Sequence, residues 1–153
     1  MAAFDNIFIV DRDTGRPLKL GAVAFADIGI KERVDLEEWV VSHPEMLGEQ
    51  LLIVTTEFDR FDKSNRRLDV LALDRQGSLV VVELKLSAES SRADLQSIRY
   101  AAFCSTMIMS DVVEVLARFR NSTKEEAESS ICEFLGENEL PEISGQPRII
   151  IAA

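Results

Sequence analysis

Asp69 and, fourteen positions later, Glu83-Leu84-Lys85 are the residues best equipped for chemistry, because the segment between them reads as a hairpin. A hairpin gathers the two carboxylates and the ammonium on one sheet face. Paired acids hold a divalent cation and a neighbouring amine balances charge, which suits metal-assisted cleavage of a phosphodiester. The hairpin follows from local patterning. Leu68 to Leu73 and Leu79 to Leu86 are mostly apolar runs, separated by Asp74-Arg75-Gln76-Gly77-Ser78. In a three-residue loop the third position is left-handed and favours glycine, so Gly77 predicts that Asp74 pairs with Ser78. Counting outward, Leu73 meets Leu79, Leu71 meets Val81 and Asp69 meets Glu83. Period-two alternation puts all six, and Lys85, on one face.

Directly opposed residues have side-chain roots about 5 Å apart, close enough for two carboxylates to repel unless one is protonated or a cation lies between them. Hard oxygen donors without soft partners favour Mg2+ or Mn2+. Zinc fits poorly. The chain has one histidine, His43, and only Cys104 and Cys132, twenty-eight positions apart, so no His/Cys ligand set with finger-like or protease-like spacing can form. The competing account makes the acids solvated strand ends. Against it stands the company they keep: Val80, Val82, Leu84 and Leu86 make one face of the second strand apolar, and Leu79 and Val81 the other. A strand buried on both faces rarely carries charge by accident.

Asp69, thirteen intervening residues and Glu83-Leu84-Lys85 resemble the metal-binding core of the PD-(D/E)xK nuclease superfamily, whose fold is restriction-endonuclease-like or Holliday-junction-resolvase-like. Leu68 stands where the superfamily often has proline. The resemblance runs from about Ile30 to Met107. Glu32-Arg33-Val34-Asp35-Leu36-Glu37-Glu38-Trp39, Pro44, Leu47-Gly48-Glu49 and Leu51-Leu52-Ile53 resemble a bacterial branch with a similar core. It implies an α/β fold with an αβββαβ core, a mixed central sheet and flanking helices. It also implies a Mg2+- or Mn2+-dependent endonuclease, a hydrolase acting on DNA in repair or defence. Asp69 and Glu83 would hold the ion, which acidifies the attacking water. Lys85 would either position or deprotonate that water or balance charge on the phosphoryl oxygens, and the sequence leaves both roles open. In the superfamily a glutamate of the first helix often reaches the metal through water, and a glutamine follows the ExK strand in several branches.

Helical geometry selects the residues that match. Taking about 100° per residue, Glu32 shares the face of Leu36, Trp39 and Val40, Glu37 flanks it, and Glu38 points away, where with Asp35 it forms a capping box if the helix starts there. Glu32 is therefore the expected third acid. A helix from about Ser91 to Met107 stacks Gln96, Tyr100, Phe103 and Met107 on one side. Phe103 and Met107 read as core, Gln96 as the residue that orients substrate or water. Tyr100 reads either as a nucleic-acid contact or as packing with its hydroxyl at the rim.

Composition sets the limits. At 153 residues and 46% hydrophobic content the chain suits one domain with its own core, residues 30–153, preceded by a hairpin add-on at 1–29. No apolar run nears eighteen residues, and Asp5, Asp11 and Asp13 break any signal peptide, so a soluble cytoplasmic protein without membrane contact is expected. Two separated cysteines fit free thiols in a reducing compartment. The net charge of −10 opposes a nucleic-acid enzyme. Part of it is local: seven glutamates and no base lie between Glu125 and Glu142, and the remainder is close to balanced. Arg60, Lys63, Arg66 and Arg67 cluster before Asp69, and Arg66 and Arg67 are the expected phosphate contacts.

Ile7 to Val10 and Leu18 to Val23 read as the add-on's strands, with a turn at Asp13 to Pro17. Leu51 to Phe58 reads as the first core strand, after a helix that ends before Pro44. Ser122 with Glu125 reads as a capping box for a helix through about Leu135. Arg148 to Ala152 reads as the last strand. An apolar strand at the terminus suggests truncation, with a missing C-terminal part that would supply the substrate-binding surface and face the acidic helix region; a homodimer is a separate expected partner. Beside the nuclease stand two other classes: a nuclease-like fold kept for binding alone, and a protein-interaction domain with an acidic surface.

Overall fold

The computed structural model describes residues 7–58, 68–85 and 93–152. The chain divides into two compact units, Met1–Lys31 and Glu32–Ala153. Its fold is mixed α/β: a four-stranded mixed sheet with helices, and a two-stranded hairpin near the N-terminus.

In the first unit β1 (Phe8–Val10) pairs antiparallel with β2 (Pro17–Lys19), slightly shorter strands than the apolar runs suggest. The turn is closed by Asp11, whose Oδ1 accepts the backbone N–H groups of Asp13 and Thr14, both at 2.9 Å. Those donors, Thr14 foremost, hold the Asp11 carboxyl below its ordinary range.

In the second unit a π-helical turn, Glu32–Leu36, runs into helix α1 (Glu37–Ser42). The α-helical step used to aim Glu32 therefore does not apply to its own turn. Nor does Asp35 cap the helix, since α1 follows Leu36 without a side-chain cap. As expected, the helix stops before His43-Pro44. The sheet order is β3 (Leu51–Phe58), β4 (Leu68–Asp74), β5 (Leu79–Leu84), β6 (Arg148–Ala152). The first three are antiparallel neighbours and β6 runs parallel to β5. Every β5 residue is buried. Burial of each such Leu or Val contributes about 1.5–3 kcal/mol before the entropy of ordering is subtracted. Leu71, Leu73, Leu79 and Val81 join one core cluster with α2 (Ala93–Cys104), α3 (Met109–Arg120) and α4 (Lys124–Leu135).

Three boundaries differ from expectation. Helix α2 ends at Cys104 rather than Met107, where the hydroxyls of Ser105 and Thr106 donate to the carbonyls of Ala102 and Phe103. The chain then turns by 117° into α3, an element absent from the expected order. Its Asp111 accepts the Ile108 backbone N–H at 3.0 Å and so satisfies one of the free donors of a helix start. Third, the capping box of α4 is Thr123–Glu126, one residue beyond Ser122–Glu125. Ser122 is already used: Asn121 is left-handed at φ 51°, and the Ser122 N–H closes α3 on the Ala117 carbonyl. No single helix among the described residues is long and apolar enough to cross a membrane.

Asp74 ties three strands together. It is 2% exposed; Oδ1 accepts the Gln76 and Ser78 N–H groups at 2.9 and 2.8 Å, and Oδ2 accepts Arg148 Nε at 2.9 Å. Arg148 also donates to Glu49 at 2.6 Å, just before β3, and this bond is the main cause of its raised pKa. Arg75 adds a further tie, lying 4.4 Å over the Phe134 ring while it donates to the Phe134 carbonyl and to Gln50.

Two outcomes follow from this packing. Asp74→Ala strands two backbone donors and removes one of the two partners of Arg148, so urea unfolding should show a loss of about 1–3 kcal/mol; a loss below about 0.5 kcal/mol contradicts the tie. Burial pushes the Cys104 thiol up from 9.0 to about 12. Above pH 9 the unfolded chain then releases a proton that the folded chain keeps. Stability from this group is complete below pH 9 and falls toward pH 12, by up to about 1.4 kcal/mol per pH unit. Urea unfolding between pH 8 and 11 should show a flatter decline in Cys104→Ala than in the wild type.

Candidate functional site

The β4–β5 hairpin closes as its turn chemistry dictates. The Asp74 N–H bonds the Ser78 carbonyl at 3.0 Å, the Gly77 N–H bonds the Asp74 carbonyl at 3.1 Å, and Gly77 is left-handed at φ 80°. From that turn the ladder runs Leu73↔Leu79, Ala72↔Val80, Leu71↔Val81 and Val70↔Val82. The paired rungs end there, one position short of Asp69 and Glu83. Beyond them Asp69 Oδ2 accepts the Leu84 backbone N–H at 2.9 Å, so a side chain ties the two strands where the ladder stops.

Glu83 is 2% exposed, and its Oε1 lies 2.7 Å from Lys85 Nζ. The two side chains share a face because they are two positions apart. Charge-assisted contacts of this length, out of bulk water, are strong and orienting. The site thus combines an oriented aspartate, a buried glutamate and a partly buried ammonium at the end of β5. On the far side of β5 the parallel register sets Ile151 beside Glu83 and Ile149 beside Val81.

The π-helical turn that carries Glu32 packs on β5. Leu36 and Val40 are buried as the expected apolar face, and Glu38 is exposed. The side chains of Glu32 and Gln96 lie outside the described residues, as do Arg60, Lys63, Arg66 and Arg67 altogether. Gln96 belongs to α2, which packs on β5 and β6. Tyr100 is 5% exposed within the core cluster, so its ring has the packing role rather than that of a surface contact to nucleic acid. Phe103, expected in the core, is exposed, while Met107 is buried. Among the described side chains of α2 the buried ones are Ser97, Tyr100 and Cys104, a stripe that leaves Phe103 to one side.

Among the described residues no group of three His, Cys, Asp or Glu side chains is placed to hold a metal ion. Asp69 and Glu83, near the same end of the hairpin, offer hard oxygen donors. That fits an ion such as Mg2+, which keeps several waters and takes one or two protein carboxylates, and not a closed cage such as structural zinc requires.

Sequence reasoning missed the functions of Asp74 and Arg148. The signal for Asp74 was present: an aspartate two and four residues before N–H groups in a Gly-containing turn accepts from both. Arg148 had no such signal, since its partners are 74 and 99 positions away. Comparison with protein-family models, with curated proteins and with solved structures finds no match for this chain.

Proposed function

We propose that Glu32–Ala153 is a restriction-endonuclease-like αβββαβ core of the PD-(D/E)xK type that hydrolyses phosphodiester bonds of DNA with Mg2+ or Mn2+. One observation carries this reading: a hairpin paired as far as Val70↔Val82, with Asp69 bonded to the Leu84 N–H just beyond and the Lys85 ammonium 2.7 Å from the Glu83 carboxylate. Helices α3 and α4 are then insertions between the second core helix and the last strand.

Asp69 and Glu83 are the residues that would hold the ion, and Glu32 the candidate to reach it through water. When bound, the ion supplies Lewis-acid polarisation and makes a nucleophile available at neutral pH. The protein's own work is orientation. The Leu84 N–H fixes one oxygen of Asp69. Lys85 holds Glu83 in place and puts a positive charge where the phosphoryl oxygens gain negative charge, or takes a proton from the attacking water. Gln96 is assigned to orient substrate or that water.

A second reading, a nuclease-like domain kept for binding, draws on two facts. Lys85 already balances the charge of Glu83, and the chain carries a net charge of −10. Cleavage assays separate the two. Labelled single-stranded, branched, mismatched and duplex DNA are incubated with the protein in Mg2+ or Mn2+, beside Asp69→Ala and Lys85→Ala. The hydrolytic reading expects cleavage that EDTA abolishes and that each substitution lowers by about 100-fold or more. Metal-dependent cleavage that survives both substitutions contradicts the site, and DNA binding without cleavage by the wild type favours the second reading.

A further inference from the structure

A run of three isoleucines cannot set its own pairing. In β6 the residues after Arg148 are Ile149, Ile150 and Ile151, and in the parallel ladder they lie beside Val81, Val82 and Glu83. A slip of one residue between strands ordinarily exchanges the side chains of the two faces and is opposed for that reason. Here a slip in either direction still sets an isoleucine beside two of those three residues, so the side-chain pattern opposes it weakly. The pairing matters beyond β6. The Lys85 N–H donates to the Ala152 carbonyl at 2.8 Å, so the backbone of the ammonium-bearing residue is held from this strand. A slip moves that carbonyl by about 3.3 Å and removes it from Lys85.

Arg148 is the residue of β6 that distinguishes one pairing from the next. Its Nε donates to Asp74 Oδ2 at 2.9 Å and its Nη2 to Glu49 Oε2 at 2.6 Å. The first acceptor ends β4 and the second precedes β3, so neither moves with β6. Asp74 is also 2% exposed, with its other oxygen held by the Gln76 and Ser78 N–H groups. A planar guanidinium that engages two fixed acids through two nitrogens accepts one position. Upstream, the Ser144 N–H donates to the Gly77 carbonyl at 2.9 Å. Gly145, Gln146 and Pro147 separate that tie from Arg148, enough chain to take up a shift of about 3.3 Å.

We propose that Arg148 with Asp74 and Glu49 is a register lock: these charges, rather than the isoleucines, select the pairing of β6 with β5 and so set the Ala152 carbonyl on Lys85 from the far end of the strand. Arg148 is thereby a positioning residue for Lys85. The lock holds whether or not the domain cleaves DNA.

Nuclear magnetic resonance of the full chain tests the lock through cross-strand contacts and amide exchange. In the wild type a single set of contacts should put Ile151 beside Glu83, with the Lys85 N–H protected. Arg148→Met keeps a long side chain but makes neither bond. It should show a second set, with Ile150 or Ala152 beside Glu83, and Lys85 N–H exchange at least about 10-fold faster, while the β4–β5 ladder amides exchange as in the wild type. Glu49→Gln lies outside the strands and should act in the same direction with a smaller effect. A single pairing and unchanged Lys85 exchange in Arg148→Met overturn the lock. So does a loss of protection shared equally by Lys85 and the β4–β5 ladder, which marks plain destabilisation. Should Arg148→Met fail to fold, unchanged Lys85 exchange in Glu49→Gln overturns it, and faster exchange confined to Lys85 supports it.

Discussion

A three-residue turn sets the pairing of the two strands that carry Asp69 and Glu83. With Gly77 left-handed and Asp74 bonded to Ser78, the pairing of β4 with β5 has no freedom. A slip of one residue would send Asp69 to one face and leave Glu83 on the other, because side chains alternate along a strand. The same slip would turn Leu71 and Leu73 out of the core. The apolar pattern and the acid pair therefore demand the same register, and core packing protects the site geometry without any contact made for that purpose.

Asp74 adds a second level of control. Its two oxygens satisfy the turn's own donors and anchor Arg148, the first residue of β6. Through Arg148 and Glu49 the starts of β6 and β3 are joined at one end of the sheet. The carboxylates Asp69 and Glu83 lie at the opposite end of the same hairpin. Fixing one end with a buried charge holds the hairpin whose other end carries the two acids. Burial of β5 on both faces makes the Glu83 backbone rigid, and that is what an acid two positions from its lysine needs to hold one orientation.

Legibility in the sequence followed the range of the interactions. The β4–β5 register could be read because it depends on five consecutive turn residues and a period-two pattern. The end of α1 before His43-Pro44 was readable for the same reason, and so were β3 and β6. Where two local signals competed, the stronger tertiary use won: Ser122 looked like a cap but is consumed in closing α3. α3 itself escaped because Val112, Val113 and Val115 suit a strand as well as a helix when taken alone. Phe103 lies outside the core it was expected to join because α2 turns its Ser97–Tyr100–Cys104 stripe toward the sheet, a choice set by packing rather than by apolar content. The link from Arg148 to Asp74 and Glu49 spans most of the chain and left no local trace.

On the proposed function Asp69 and Glu83, at the end of the hairpin opposite its turn and beside Lys85, share a divalent cation. Electron paramagnetic resonance of Mn2+ titrated into the full chain tests it directly. The account predicts one Mn2+ bound per chain, competed away by Mg2+ and lost in Glu83→Gln. Undiminished binding in Glu83→Gln, or no binding by the wild type at Mn2+ concentrations on the order of millimolar, contradicts it.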